Sequence, residues 1–196
     1  MIDEFFKELD GKWKVKNSEP ILLRVIGSTA LFLQTDYARG TKDTDILELE
    51  NLTPDIQDEL LRLSGKKSIL FKKYHVYLEI IGRAWPFLPQ RPLFHPIDSL
   101  NKSLKNFHIE ALDIVDVMVS KLKTFRHQDR DDIIAMIDLD RVSHDKLVDR
   151  FKSAMIRWEL DARAEDLPMY ISNLNEIERD FLNVTESQFE LPRWIL

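Results

Sequence analysis

The chain has 196 residues, of which 44% are hydrophobic and 32% are charged, so it can form one domain with a substantial core and a well-solvated surface. It has no cysteine, which excludes disulfides, thiol nucleophiles and cysteine-ligated zinc. Its net charge of −6 is untypical of a non-specific nucleic-acid binder. No apolar run reaches the length of a membrane span, and the acidic N-terminus shows no signal peptide. We therefore expect a cytoplasmic protein that does not contact a membrane.

The first half of the chain mixes helical and strand patterns. Apolar residues at helical spacing predict an N-terminal amphipathic helix that breaks near Gly11. Apolar runs predict strands at residues 21–26, 45–49, 76–81 and 107–112. Helices are predicted between them at residues 29–37, 54–64 and 68–74. Four prolines mark residues 86–96 as an irregular segment.

The second half of the chain is predicted to be helical. Asp113 has the side chain of a helix N-cap, and Asp129 or Asp131 opens the next helix. Ser143 caps a third, and the last predicted helix covers residues 165–184.

These elements predict an α+β fold, with a mixed twisted sheet flanked by helices and a helical C-terminal extension. Residues 1–112 would form the core, and residues 113–196 a helical region packed on it. One continuous domain is the alternative.

Two short motifs lie at the ends of the first two strands. Gly27-Ser28 follows the first strand, where a strand-to-helix turn offers backbone N–H groups to an anion. Asp43 and Asp45 are two residues apart, so on a strand they share one face, with backbones about 7 Å apart. Paired carboxylates suit hard cations such as Mg²⁺. The plainer alternatives are a tight turn capped by Ser28 and exposed charge before a strand.

These motifs resemble the nucleotidyltransferase superfamily that includes DNA polymerase β. Its pattern is an apolar strand, Gly-Ser or Gly-Gly, a helix, and then Asp-x-Asp on the next strand. Arg39-x-Thr41-x-Asp43-x-Asp45 resembles the bacterial branch that contains AbiEii-type toxins. The resemblance extends to the helical region near Asp132.

The resemblance implies a mechanism. Asp43 and Asp45 would bind Mg²⁺ or Mn²⁺, and Gly27 and Ser28 would hold the β- and γ-phosphates of a nucleoside triphosphate. The superfamily usually adds a third carboxylate from a later strand, and Glu79 stands at that position. The family more often has aspartate there, so an outward-facing glutamate on an edge strand is the alternative.

Three cations are candidates for the triphosphate. Arg39 and Lys42 lie in the loop beside the aspartates, where they could neutralise phosphate charge or merely offset the aspartates. Lys121 matches a family lysine that reaches toward the nucleotide. For Asp129 and Asp132, three apart on a helix, we expect a structural role.

Two functions fit these residues. The first is Mg²⁺-dependent transfer of a nucleotide to a protein, RNA or small-molecule acceptor, in a toxin or phage-defence setting with a cognate antitoxin as partner. The second is a catalytically inactive module that binds a nucleotide or a protein. The acceptor and the preferred nucleotide do not follow from the sequence.

Overall fold

The computed structural model describes residues 1–159, 161–191 and 194. These residues form two compact units, the first from Met1–Pro86 with Phe94–Leu112, the second from Phe87–Leu93 with the chain after Leu112. The predicted α+β class is confirmed, because a mixed five-stranded sheet is flanked by helices and followed by further helices. The division into a core of residues 1–112 and a helical region of residues 113–196 stays a prediction. No described helix is long and apolar enough to cross a membrane.

The first unit contains the sheet. Its elements, in chain order, are α1 (Ile2–Lys12), β1 (Ile21–Ile26), α2 (Gly27–Gln34), β2 (Asp43–Leu47), α3 (Pro54–Ser64), α4 (Ile69–Tyr74), β3 (Tyr77–Ile81), β4 (Phe94–Pro96), α5 (Asp98–Asn101) and β5 (Phe107–Leu112). The strand order is β3-β2-β1-β5-β4. β1 is antiparallel to β2 and parallel to β5, while β3 runs parallel to β2 at one edge. β4 pairs antiparallel with β5 at the other edge.

One face of the sheet forms the core of this unit. Alternate residues of the strands point to it and are almost completely buried: Leu23, Val25, Thr44, Ile46, Leu78, Ile109 and Ala111. Helix α2 packs against strands β1, β2 and β5, and helix α3 packs against β3. The opposite face carries the residues between them, which include Asp43, Asp45 and Glu79. On this opposite face Ile26 and Leu47 are buried, whereas Asp43 is exposed.

The second unit contains α6 (Ile114–Lys121), α7 (His127–Asp138), α8 (His144–Trp158), a 3₁₀ helix (Ala162–Asp166) and α9 (Leu167–Asp180). Phe87 lies at the centre of its aromatic core, with ring centroids 5.0–5.5 Å from those of Phe151, Trp158 and Tyr170.

A buried ion pair links two helices of this unit. Arg150 binds both carboxylate oxygens of the fully buried Asp116 at 2.6 Å. Asp116 also accepts a hydrogen bond from the backbone N–H of Leu93 at 2.8 Å.

Several element boundaries differ from those predicted. Helix α2 begins at Gly27 and ends at Gln34, whereas residues 29–37 were expected. The interpretation of Ser28 as an N-cap is wrong, because Ile26 is the N-cap residue and no side chain caps this helix. Residues 94–96 form an edge strand inside the predicted irregular segment, since an edge tolerates a proline without an N–H.

Helix starts in the second unit are partly as predicted. Asp113 caps α6 by accepting a hydrogen bond from the N–H of Val115 at 3.0 Å. Helix α7 begins at His127 rather than at an aspartate, and Asp129 instead accepts from the backbone N–H of Arg126 in a capping box. Ser143 is the N-cap residue of α8, although its side chain makes no capping hydrogen bond. Leu160, where that helix was expected to end, lies outside the described residues.

Candidate active site

The turn between β1 and α2 brings backbone and carboxylate close together. Gly27 has a φ of +66°, a left-handed conformation that favours glycine. A Cβ atom built on Gly27 would lie 3.2 Å from Oδ2 of Asp45. The cause is the register of the sheet, in which Ile26, the residue before Gly27, pairs with Asp45. Glycine is therefore favoured here both by backbone conformation and by close approach.

The two aspartates of β2 share a face, as the sequence predicts. Asp43 is exposed and accepts a hydrogen bond from the hydroxyl of Thr41 at 2.9 Å. Asp45 is half-buried, and its carboxylate lies next to the turn at Gly27. Two carboxylates so placed fit a hard divalent cation by their donor chemistry.

Two buried hydroxyls connect the turn to the aspartate strand. Oγ1 of Thr29, in the first turn of α2, lies 3.2 Å from the backbone carbonyl oxygen of Asp43 and 3.2 Å from Oγ1 of Thr44. Thr29 and Thr44 are 1% and 0% exposed, so these bonds are shielded from water. The position of Asp43 is thus linked to the start of α2. The sequence interpretation missed both threonines, since their partners are set by the packing of α2 on the sheet.

Glu79 lies on the same face as the aspartates, one strand further out. It pairs with Asp45 in the parallel register of β2 and β3, which places the two backbones about 4.7–4.9 Å apart. Its carboxylate lies 3.6 Å from Nζ of Lys66. Lys66 also lies over the ring of Tyr77, and its pKa is raised, first by a hydrogen bond to Tyr77 and then by the charge of Glu79.

The described residues do not contain a group of three or more His, Cys, Asp or Glu side chains arranged to hold a metal ion. Asp43, Asp45 and Glu79 therefore share a face without forming a closed three-carboxylate cluster.

Arg39 lies in the loop after α2, and its guanidinium reaches back to the start of that helix. Its Nη2 donates a hydrogen bond to Oγ of Ser28 at 2.8 Å, and its guanidinium carbon lies 5.8 Å from the centre of the Phe32 ring. The arrangement adds a positive charge beside the first turn of a helix whose N–H groups already favour anions. Lys42 has an exposed side chain, and its carbonyl oxygen accepts from the N–H of Tyr77.

Lys121 belongs to the second unit and is 5% exposed. Its ammonium lies 2.6 Å from a carboxylate oxygen of Asp132 and 3.2 Å from one of Asp129. Asp129 also accepts from Thr124 and from the N–H of Arg126. These contacts connect the end of α6 to the first turns of α7.

Comparison with known proteins identifies a family for this chain. A family model described as a nucleotidyltransferase of unknown function (DUF6036) matches residues 1–182. Neither the curated proteins nor the solved structures gave a match. The matched part includes both strand motifs, the turn at Gly27 and the helices of the second unit. The chain therefore belongs to this family of nucleotidyltransferases of unknown function, DUF6036.

Proposed function

We propose that this chain is a Mg²⁺- or Mn²⁺-dependent nucleotidyltransferase that moves a nucleotide from a nucleoside triphosphate to an acceptor. The observation that carries the proposal is the close approach of the Asp45 carboxylate to the Gly27 turn, where a Cβ added to the glycine would lie 3.2 Å from Oδ2. A phosphate held at the turn would lie beside that carboxylate, as transfer requires.

Each residue of the site has a role in this proposal. The turn at Gly27 and the first N–H groups of α2 hold the phosphates, and the hydroxyl of Ser28 adds a hydrogen bond. Arg39, bonded to Ser28, offsets triphosphate charge. Asp43 and Asp45 hold the cation, which when bound stabilises the attacking and leaving oxygens. Lys42, exposed next to Asp43, is the second candidate for offsetting charge.

In the reaction, a hydroxyl oxygen of the acceptor forms a bond to the α-phosphorus of the nucleotide. The bond from that phosphorus to the bridging oxygen of the β-phosphate breaks, and pyrophosphate leaves. The hydroxyl proton passes to a carboxylate, for which Glu79 is the candidate because it lies beside Asp45. Lys121, buried with Asp129 and Asp132, is proposed as a further nucleotide contact only on the family resemblance.

Nucleotide binding tests the site. Calorimetry with each of the four ribonucleoside triphosphates should show Mg²⁺-dependent binding to the wild type and none to a chain with Asp43→Asn and Asp45→Asn. The matched control, Asp58→Asn with Asp138→Asn, removes the same charge from exposed helix positions and should bind normally. Equal Mg²⁺-dependent affinity in both double variants would contradict the assigned metal ligands.

A second function is favoured by the contact between Lys66 and Glu79. If that ion pair persists when nucleotide is bound, the chain is an inactive module that binds a nucleotide or a protein. Incubation with each labelled nucleoside triphosphate, Mg²⁺ and cell extract separates the two, since only an enzyme labels an acceptor.

The biological setting we propose is a cytoplasmic toxin or phage-defence component with an antitoxin partner. This rests on the resemblance of Arg39-x-Thr41-x-Asp43-x-Asp45 to the AbiEii-type branch, which is an analogy at the family level.

A further inference from the structure

The outer edge of the sheet, along β3, has backbone groups that point away from the other strands. The N–H of Tyr77 donates to the carbonyl of Lys42, and the carbonyl of Ile81 accepts from the N–H of Glu48. The backbone N–H and C=O groups of the odd-numbered residues of β3 therefore point toward β2. The N–H and C=O groups of Leu78 and Ile80 therefore point outward. Within the described part of the chain, no hydrogen bond uses these outward groups. An edge of this kind is a template for another extended backbone.

A groove runs along this edge. Its volume is about 780 Å³, within the range of about 300–1,000 Å³ that is usual for binding clefts. Leu78, Glu79 and Ile80 of β3 line it, together with Leu61 of α3 and Gly65, which follows that helix. The five residues of β3 span about 16 Å at 3.2–3.4 Å per residue, which matches about five residues of an added strand.

The charges of the groove are arranged by end. Lys66 lies toward the start of β3, where it contacts Tyr77, and the next residue, Lys67, also lines the groove. Glu48 lies toward the end of β3, where the backbone N–H of Glu48 donates a hydrogen bond to the carbonyl of Ile81. A peptide with an acidic residue at the first end and a basic residue at the second would be complementary to both.

The same charges disfavour a nucleic acid. Of the cations that line the groove, Arg62 is bonded to Glu59 and Lys66 lies against Glu79. The mixed lining lacks the continuous positive surface that a phosphate backbone requires.

Glu79 joins the groove to the candidate active site. Its side chain lines the groove, and its backbone pairs with Asp45 in the sheet. A strand added to the edge of β3 would therefore pass next to Glu79, with β3 between it and the two aspartates of β2.

From these observations we propose that the groove binds an extended polypeptide as an added strand on β3, and that this polypeptide is the acceptor of the nucleotide. The first part stands on the geometry of the edge alone, and the second rests on the proposed function. A serine, threonine or tyrosine of the peptide next to Glu79 supplies the hydroxyl oxygen that attacks the α-phosphorus. Pyrophosphate leaves, and the proton passes through Glu79 to water.

The experiment uses the full chain and a display library of random heptapeptides, selected without nucleotide. Binding of individual synthetic heptapeptides is then measured by fluorescence anisotropy. Ile80→Pro removes an outward N–H and leaves the bonds to β2 in place, so it should weaken binding about tenfold or more. Ile80→Val keeps the N–H and should bind like the wild type. Lys67→Glu, at an exposed position, should weaken peptides with an acidic residue several-fold more than peptides without one.

Several results would overturn the binding proposal. These are a selection that yields no binder, binders that are indifferent to both Ile80→Pro and Lys67→Glu, and displacement of the peptides by oligothymidylate. A dimer of the wild type that Ile80→Pro dissociates would instead assign the edge to a second copy of the chain. If circular dichroism shows that Ile80→Pro does not fold, the binding proposal is tested by Lys67→Glu alone. That variant must then weaken peptides with an acidic residue more than peptides without one.

The acceptor part is tested separately. Selected peptides that contain a hydroxyl should gain a labelled nucleotide in the presence of Mg²⁺, and Ile80→Pro should reduce that labelling. Peptide binding without labelling, while cell extract is labelled, would refute the peptide as acceptor. The absence of labelling in every sample would count against the proposed transferase, and the peptide groove would be unaffected.

Discussion

Replacement of Gly27 by alanine should be costly for a reason that can be worked out from its backbone. A φ of +66° costs an L-residue with a side chain roughly 1–2 kcal/mol. The new Cβ would also lie 3.2 Å from Oδ2 of Asp45, so the carboxylate must move by a few tenths of an ångström. We therefore expect Gly27→Ala to lower the free energy of unfolding by about 1–2 kcal/mol and to weaken Mg²⁺-dependent nucleotide binding.

Two controls separate these effects. Gly40→Ala adds a Cβ that meets nothing within 4 Å, so it should change stability by less than about 0.5 kcal/mol. Ser28→Ala removes one hydrogen bond with Arg39, worth about 0.5–1.5 kcal/mol, and should weaken nucleotide binding less than Gly27→Ala does. Urea denaturation gives the stabilities and calorimetry the affinities. A Gly27→Ala variant as stable as Gly40→Ala, or a Ser28→Ala variant that binds nucleotide more weakly than Gly27→Ala, would contradict the strain and close approach assigned to Gly27.

Three further predictions concern buried polar groups. Thr29→Val should cost about 1–3 kcal/mol of stability in urea, because the hydroxyl of Thr44 loses its partner, whereas Thr29→Ser should be much milder. Arg150→Met should cost about 3–5 kcal/mol by leaving the buried Asp116 uncompensated, and adding Asp116→Leu should recover only part of it, because the N–H of Leu93 then loses its acceptor. If Arg150→Met with Asp116→Leu were as unstable as Arg150→Met alone, the uncompensated charge of Asp116 would not be the cause of the loss. Tyr170 has its pKa raised to about 12, mainly by burial, so Tyr170→Phe should remove the tyrosinate absorbance that appears last in an alkaline titration.

The local parts of the site could be predicted from the sequence, because short-range geometry determines them. Residues two apart on a strand share a face, so Asp43 and Asp45 had to project together once β2 was recognised. The strand-to-helix turn at Gly27 followed from an apolar run that ends in glycine. What the sequence could not supply was the left-handed φ of that glycine, since it depends on how β1 leads into α2.

Pairings between distant segments could not be predicted in the same way. The register that sets Glu79 beside Asp45 is fixed by the core packing of β3, which two helices separate from β2 along the chain. The contact of Lys66 with Glu79 depends on where the loop after α3 lies. Asp116 could be seen as an acidic residue in the first turn of a helix, but its bond to Arg150 comes from the packing of α6 on α8.

The geometry of the turn also bears on why a cation is expected at this site. A triphosphate held at Gly27 would bring negative charge close to the carboxylate of Asp45. Two unit charges about 4 Å apart repel by about 1 kcal/mol in water and about 4 kcal/mol at the effective dielectric constant near a protein surface. Arg39 offsets part of that charge through its place beside Ser28, but Asp43 adds a further negative charge on the same face. We therefore expect nucleotide binding at this turn to depend on a divalent cation between phosphate and carboxylates, as the proposed function requires.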